Sequence, residues 1–245
     1  MVTNIDRYLF KFKKMNVVIT GTSSGIGHAL VEELLTNYKN VMVHAITRNK
    51  NALEKFSKKY KKNLIVYYYD LSVENQLQKL IKKLKKLKSI DVIINNAAVL
   101  IKKNASDLSL NDFTKTYHLN TYVPFVLSVS LIKNLQKAKS PHVVNIGSMG
   151  GLEKTLKFKG MSFYSSSKAA LANITECLAQ EYKSAGIHFN YLALGTVETK
   201  MMKNAFPRHK APHTPQDIAS FIAKFSLESP RFFNGQIIPI TISSV

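Results

Sequence analysis

At 245 residues, with 45% hydrophobic and 20% charged residues, the chain has the composition of a folded globular protein and not of a disordered or fibrous one. A chain this long can bury roughly 70% of the surface its unfolded form exposes. Its formal charge is +20, yet 31 of its 35 basic residues are lysines and only 4 are the arginines that read phosphate and guanine bidentately, so specific nucleic-acid recognition is not expected.

In chain order, residues 1–13 read as a short extension, and the stretch MVTNIDRYLFKFKK lacks the apolar centre of a signal peptide. No run approaches the ~20 apolar residues of a membrane span, so the expected location is the cytoplasm, with no membrane partner. Strands are predicted over Asn16–Thr20, Val41–Thr47, Leu64–Tyr69, Asp91–Asn95, His142–Ile146, Ile187–Ala193 and Gln236–Thr241. Helices are predicted near 25–37, 51–61, 73–88, 110–137, 164–185 and 215–227, alternating with the strands. This alternation implies parallel pairing through right-handed crossovers, and the nearly unbroken apolar strands imply burial on both faces. The fold expected is therefore α/β: one doubly wound, Rossmann-type domain over 14–245, with a seven-stranded parallel sheet and helices on both faces. Much of the lysine lies in KKYKKN (58–63) and KLIKKLKKLK (79–88), where Leu80, Ile81, Leu84 and Leu87 recur at helical spacing, the pattern of a packed helix with a solvated lysine face. The one cysteine, Cys177, is expected to be a plain core thiol.

Between the first strand and the first helix runs TGTSSGIG, with Gly21, Gly25 and Gly27. Glycines allow close backbone approach, and the helix start offers free amides to an anion, so the loop suits a dinucleotide pyrophosphate; an ordinary strand-to-helix turn is the alternative. The Gly-Lys-Ser/Thr ending of a nucleoside-triphosphate loop is missing. The second strand ends with Thr47 and Arg48 and no carboxylate, which favours NADP(H) over NAD(H), because a 2′-phosphate would be attracted there; a plain loop arginine is the bland reading of Arg48.

Tyr164 and Lys168 stand four apart at the start of a helical pattern and share one face, while Ser148 follows a strand at the edge where open α/β sheets bind ligands. A phenol is a poor acid or base at neutral pH unless a cation stabilises the phenolate, which Lys168 is placed to do; Ser148 can then hold a carbonyl oxygen. The histidines are scattered without ligand spacing, so no metal is expected.

These motifs together resemble the short-chain dehydrogenase/reductase family in its compact single-domain branch, with some similarity to sepiapterin and benzil reductases. The resemblance implies a cofactor loop of Gly21, Ser23, Ser24, Gly25, Ile26 and Gly27. It further implies adenine contacts from Asp70 and Leu71, a fourth-strand motif containing Asn96 and Ala97, and nicotinamide contacts from Gly195, Val197 and Thr199. The catalytic set would be Asn120, holding a relay water, with Ser148, Tyr164 and Lys168; Tyr164 and Lys168 would also touch the cofactor, and Lys168 would lower the phenol pKa. The implied activity is NADPH-dependent reduction of a carbonyl, or oxidation of a secondary alcohol, of the EC 1.1.1 type, by a homodimer or homotetramer paired through 110–137 and 164–185. Leu171, Ile174 and Leu178 could serve that face or the sheet. Departures from the family pattern are Ala98 for glycine, Leu194 for proline and a longer Ser148–Tyr164 interval carrying Lys154, Lys157 and Lys159. A substrate lid is expected near 199–214, where Met201, Met202 and Phe206 could line a pocket and Lys203, Arg208, His209 and Lys210 could favour an anion. A non-catalytic NADP(H)-binding regulator and, further back, a polyanion-binding protein are the alternative functions.

Overall fold

A computed structural model describes residues 14–242; the predicted 1–13 extension lies outside the described residues. Seven strands form one all-parallel sheet: β1 (Met15–Thr20), β2 (Val41–Thr47), β3 (Leu64–Tyr68), β4 (Val92–Asn95), β5 (His142–Ile146), β6 (His188–Leu194) and β7 (Ile237–Ile240), in the order β3-β2-β1-β4-β5-β6-β7. The order reverses between β1 and β4, the switch point at which open α/β sheets leave a crevice beyond the strand C-termini.

The strands are apolar along their length because both faces are covered. On one side α1 (Gly25–Asn37) and α9 (Pro215–Glu228) bury Leu30, Leu34, Ile218 and Ile222 against Val17, Ile19 and Val43. On the other, α3 (Glu74–Leu84), α5 (Val123–Ser130) and α7 (Ser162–Glu181) bury Leu77, Leu80, Leu127 and Leu178 against Val18, Ile93 and Val143. The lysines of α3 are solvated, as its spacing indicates, while Leu77, Leu80, Ile81 and Leu84 are inside. The remaining helices are short: α2 (Glu54–Lys59), α4 (Leu110–Tyr117), α6 (Ile132–Leu135) and α8 (Lys200–Ala205).

Two expectations need correction. The long helix over 110–137 is broken: α4 passes through a π turn at His118–Tyr122 into α5, and Leu131 separates α5 from α6. Pro124 carries no N–H and cannot donate to the carbonyl four residues back, which disfavours a regular α ladder at this point. Cys177 is exposed, not buried, because α7 turns Leu171, Ala172, Thr175, Leu178 and Ala179 inward and leaves position 177 on the solvent side. Of the residues considered for an oligomer face, Leu171 and Leu178 are buried within the chain, and only Ile174 reaches an open aromatic depression with Phe113, Tyr117, Tyr122 and Phe125.

Two histidines in the sheet carry a pH consequence. His142 accepts from Asn190 Nδ2 at Nε2 (2.9 Å) and faces the Ser226 carbonyl at Nδ1 (3.0 Å), a pairing that fits the neutral ring alone. His44 is held by Asn16 Oδ1 and the Tyr67 hydroxyl. Burial lowers each to about 4 from an ordinary 6.5. Their contribution is therefore complete above pH 6.5 and lost as the pH falls toward 4, up to about 3 kcal/mol for each ring. Urea unfolding compared at pH 7 and pH 4.5 should show this drop. A flat profile across that window would contradict it.

Candidate active site

At the C-terminal end of β1 the chain must turn sharply beside β4. Gly21 (φ +72°) and Gly25 (φ +58°) take up backbone angles that side chains disfavour. Space is equally tight: a Cβ on Gly21 would stand 2.7 Å from Ala97 Cα, and one on Gly27 would stand 2.3 Å from the Gly21 carbonyl oxygen. Asn96 locks the loop, its Nδ2 donating to the carbonyls of Thr20 (3.0 Å) and Gly21 (3.1 Å), while the Thr20 hydroxyl accepts from the amides of Asn96 and Ala97 at 3.0 Å. The α1 N-terminus that follows has no side-chain cap from Ser24 and no acidic residue in its first turn, so its positive end is left for an anion to meet. Ser23, Ser24 and Ile26 line this turn, and a Cβ on Gly25 would stand 3.3 Å from the Thr199 methyl. These features fit an anionic, phosphate-bearing cofactor.

Thr47 is buried at the end of β2, its hydroxyl bonded to the Asn49 backbone, while Arg48 is 72% exposed with its guanidinium 3.7 Å from Asp70. The Asp70 carboxyl is raised by burial, but bonds from the Ser72 hydroxyl and amide together with the Arg48 charge outweigh this and hold it below its ordinary value. Arg48 and Asp70 thus form one surface pair beyond the C-terminal ends of β2 and β3. The sequence offered no sign of it, since β2 and β3 bring the two together from 22 positions apart. Leu71 is buried beside it.

The second cluster lies across the β5 and β6 ends. The Ser148 hydroxyl lies beside the phenol of Tyr164, whose pKa it pulls down, and accepts from the Gly150 amide at 3.2 Å. Lys168 is 3% exposed and donates to the Ile146 carbonyl at 2.8 Å; burial lowers its ammonium to about 8. Tyr164 is pushed above its ordinary pKa by burial, against the downward pull of Ser148. Here the expectation of a lowered phenol fails: the ammonium is committed to a carbonyl of β5, and desolvation dominates. Asn120 sits in the π turn, wholly buried. Its carboxamide accepts from the Val99 amide and donates to the Val99 carbonyl and to Ser167, so a water held at this residue would have to bind its main chain. Sequence reasoning missed Tyr191 of β6, whose hydroxyl touches the backbones of both Ser148 and Lys168.

Three segments pack together around α8. α8 is capped by Thr199, which accepts from the Met202 amide, and Met202 is buried while Met201 is exposed. Phe206, at the end of α8, packs on Phe158 of the long Ser148–Tyr164 interval (centroids 5.2 Å) and lies under the Lys102 ammonium, which also donates to the Ala205 carbonyl at 2.7 Å. Lys203, considered for an anionic substrate, pairs instead with Glu198 at 2.7 Å, and Lys157 of the long Ser148–Tyr164 interval folds back onto the Gly150 and Leu152 carbonyls of its own loop. Gly195 donates to the Ile240 carbonyl, and Val197 bridges to His213, which fixes the base of this segment.

A model of the short chain dehydrogenases matches residues 15–210. The 3-oxoacyl-acyl-carrier-protein reductase FabG of Buchnera aphidicola is 27% identical over 241 residues, covering 94% of this chain and 97% of that protein. An uncharacterised oxidoreductase of Staphylococcus aureus is 26% identical over 219 residues, covering 89% and 92%. Among solved structures, 4-hydroxyisoleucine dehydrogenase complexed with NADH superposes with a TM-score of 0.82 at 28% identity, covering 93% and 97% of the two chains. ElxO with NADP bound gives 0.78 at 26%, again covering 93% and 97%.

Proposed function

The chain belongs to the short-chain dehydrogenase family, and from that premise we propose that it is an NADP(H)-dependent carbonyl reductase or secondary-alcohol dehydrogenase. The observation that carries this reading is the meeting, at one sheet edge, of an anion cradle with a neighbouring Ser148–Tyr164 pair one helical turn from a buried ammonium. Gly21 to Gly27 and the α1 amides would hold the pyrophosphate, Asp70 and Leu71 the adenine, and Lys168 the nicotinamide ribose, with Gly195, Val197 and Thr199 toward the nicotinamide. A nicotinamide held there exchanges a hydride with the substrate carbon.

In this reading the protein moves the proton. Tyr164 gives its phenolic proton to the carbonyl oxygen in reduction and takes it back in oxidation, while the Ser148 hydroxyl holds the same oxygen. Burial keeps Tyr164 protonated at neutral pH, so it stands ready as the acid of the reductive direction. Lys168 places a positive charge one turn from the phenolate that is left behind. The Asn120 carbonyl would hold the water that passes a proton on, since Pro124 offers it no amide at the helical i+4 position. The exposed aromatic face at Phe113, Tyr122 and Phe125 would pair copies of the chain into a dimer or tetramer in the cytoplasm.

The preference for NADP(H) rests on Arg48 and on a β2 end without a carboxylate. Similar proteins bind either form of the cofactor, NADH in 4-hydroxyisoleucine dehydrogenase and NADP in ElxO. Fluorescence titration should show tighter binding of NADPH than of NADH, and Arg48→Ala should weaken NADPH about tenfold or more, the equivalent of one charge-assisted contact, with little change for NADH. Equal weakening of both would assign Arg48 to its Asp70 pair instead. NADPH consumption with diketone, pteridine and 3-oxoacyl substrates tests the reductase reading. Binding without turnover of any of them would favour the regulator.

A further inference from the structure

Tyr191 lies at the centre of β6, opposite Asn145 of β5, and is completely buried. A buried tyrosine must find partners for its hydroxyl, and any nearby backbone would serve. Here the two partners are unusual in their identity. The hydroxyl accepts from the Ser148 amide at 3.0 Å and donates to the Lys168 carbonyl at 3.1 Å. One oxygen therefore joins the end of β5 to the first turns of α7, through the two residues that carry the site's hydroxyl and ammonium.

The neighbouring residue is shaped to admit it. Gly147 has no left-handed φ to explain it, yet a Cβ there would fall 1.8 Å from Tyr191 Cζ and 2.3 Å from its hydroxyl oxygen. The ring fills the space that a side chain at 147 would occupy, so the glycine before Ser148 and the tyrosine on β6 form a matched pair. Gly147 is also where the ladder between β5 and β6 ends, with its amide on the Leu192 carbonyl; Ser148 takes its next amide contact from the Tyr191 hydroxyl and not from the sheet. Burial holds the Tyr191 phenol far above its ordinary pKa, so it stays protonated and keeps both bonds at working pH.

We propose that Tyr191 is the positioning residue of the reaction centre, a clamp that fixes Ser148 relative to the Tyr164–Lys168 turn of α7 and thereby aims the Ser148 hydroxyl at the Tyr164 phenol. This rests on the reductase reading above. Tyr191→Phe keeps the ring and its fit against Gly147 and removes only the clamp. In the full-length chain, kcat should fall about tenfold or more, the scale set by small misplacements of reacting groups, with KM for NADPH nearly unchanged.

Tyr164 supplies a readout that does not need turnover. Ser148 pulls the Tyr164 phenol down against burial, so loosening Ser148 should raise its titration midpoint by about half a pH unit or more. The midpoint can be followed by NMR of carbon-13-labelled tyrosine, with Tyr164→Phe identifying the signal. A lower kcat with a raised midpoint supports the clamp. An unchanged midpoint overturns it, whether or not kcat falls, because that pattern marks a tyrosine that only fills the core. If wild type turns over no carbonyl substrate, the reductase reading fails separately, and the midpoint alone decides: a rise keeps the coupling of Tyr191 to Tyr164, and no rise removes it.

Discussion

Tyr164→Phe should lower kcat for carbonyl reduction by about 10²–10⁴-fold, the range for loss of a positioned proton donor, while NADPH binding and thermal stability stay close to wild type. The selectivity follows from the surroundings of the hydroxyl. The side chain beside it is Ser148, which accepts from the Gly150 amide, so removing the phenolic oxygen leaves Ser148 with a partner and strands no main-chain group of the sheet. The ring remains to fill its place. Cellular function surviving in this variant, with no carbonyl turned over by wild type, would hand the fold to the non-catalytic reading; wild-type turnover surviving in it would instead remove Tyr164 as the acid, since no neighbouring group is placed to take over: Lys168 is bound to the Ile146 carbonyl, and Tyr191 is saturated by its two backbone contacts. Steady-state kinetics beside a cofactor titration separates the two readings.

Gly27→Ala should weaken NADPH binding about 100-fold and lower the melting temperature by several degrees. Two effects oppose each other. Gly27 lies within α1, where alanine is better than glycine by about 1 kcal/mol. Against this, the added methyl would stand 2.3 Å from the Gly21 carbonyl oxygen and 2.5 Å from Asn96 Nδ2, so it wedges apart the 3.1 Å bond that closes the phosphate loop onto the end of β4. Forced overpacking of this kind costs about 1–3 kcal/mol, and each kcal/mol lowers the midpoint by about 2–4 °C in a chain of this size. The steric term exceeds the helical gain, and the lost cradle geometry adds to the binding deficit. A melting temperature at or above wild type with NADPH affinity intact would mean that the loop is an ordinary turn with room to spare.

What could be read from the residues, and what could not, divides along physical lines. Strand bounds and helix order were legible because apolar runs and turn residues are local signals, and all seven strands stand within two residues of their expected ends. The glycine loop and the Ser148, Tyr164 and Lys168 spacing were legible because each is a short motif. Interactions set by pairing across the sheet were not. Tyr191 looks like any aromatic in a buried strand until β5 and β6 are in register, and nothing near Arg48 in sequence announces Asp70. The π turn follows from Pro124 only once the flanking helices are known to continue through it. The upward shift of Tyr164 likewise depends on how deeply the phenol is covered, which spacing along a helix does not encode.

The end of the sheet holds a last consequence. Gln236 and Ile240 turn their carbonyls toward β6, accepting from the Tyr191 and Gly195 amides, so the residues between them that face the opposite way are Ile237 and Pro239. A foreign strand laid along β7 would therefore meet proline where it needs an amide donor, in the middle of a strand only four residues long. The chain thus carries its own stop against edge-to-edge polymerisation, a protection that matters most while a slowly closing parallel sheet is still incomplete and its strands are open to their neighbours.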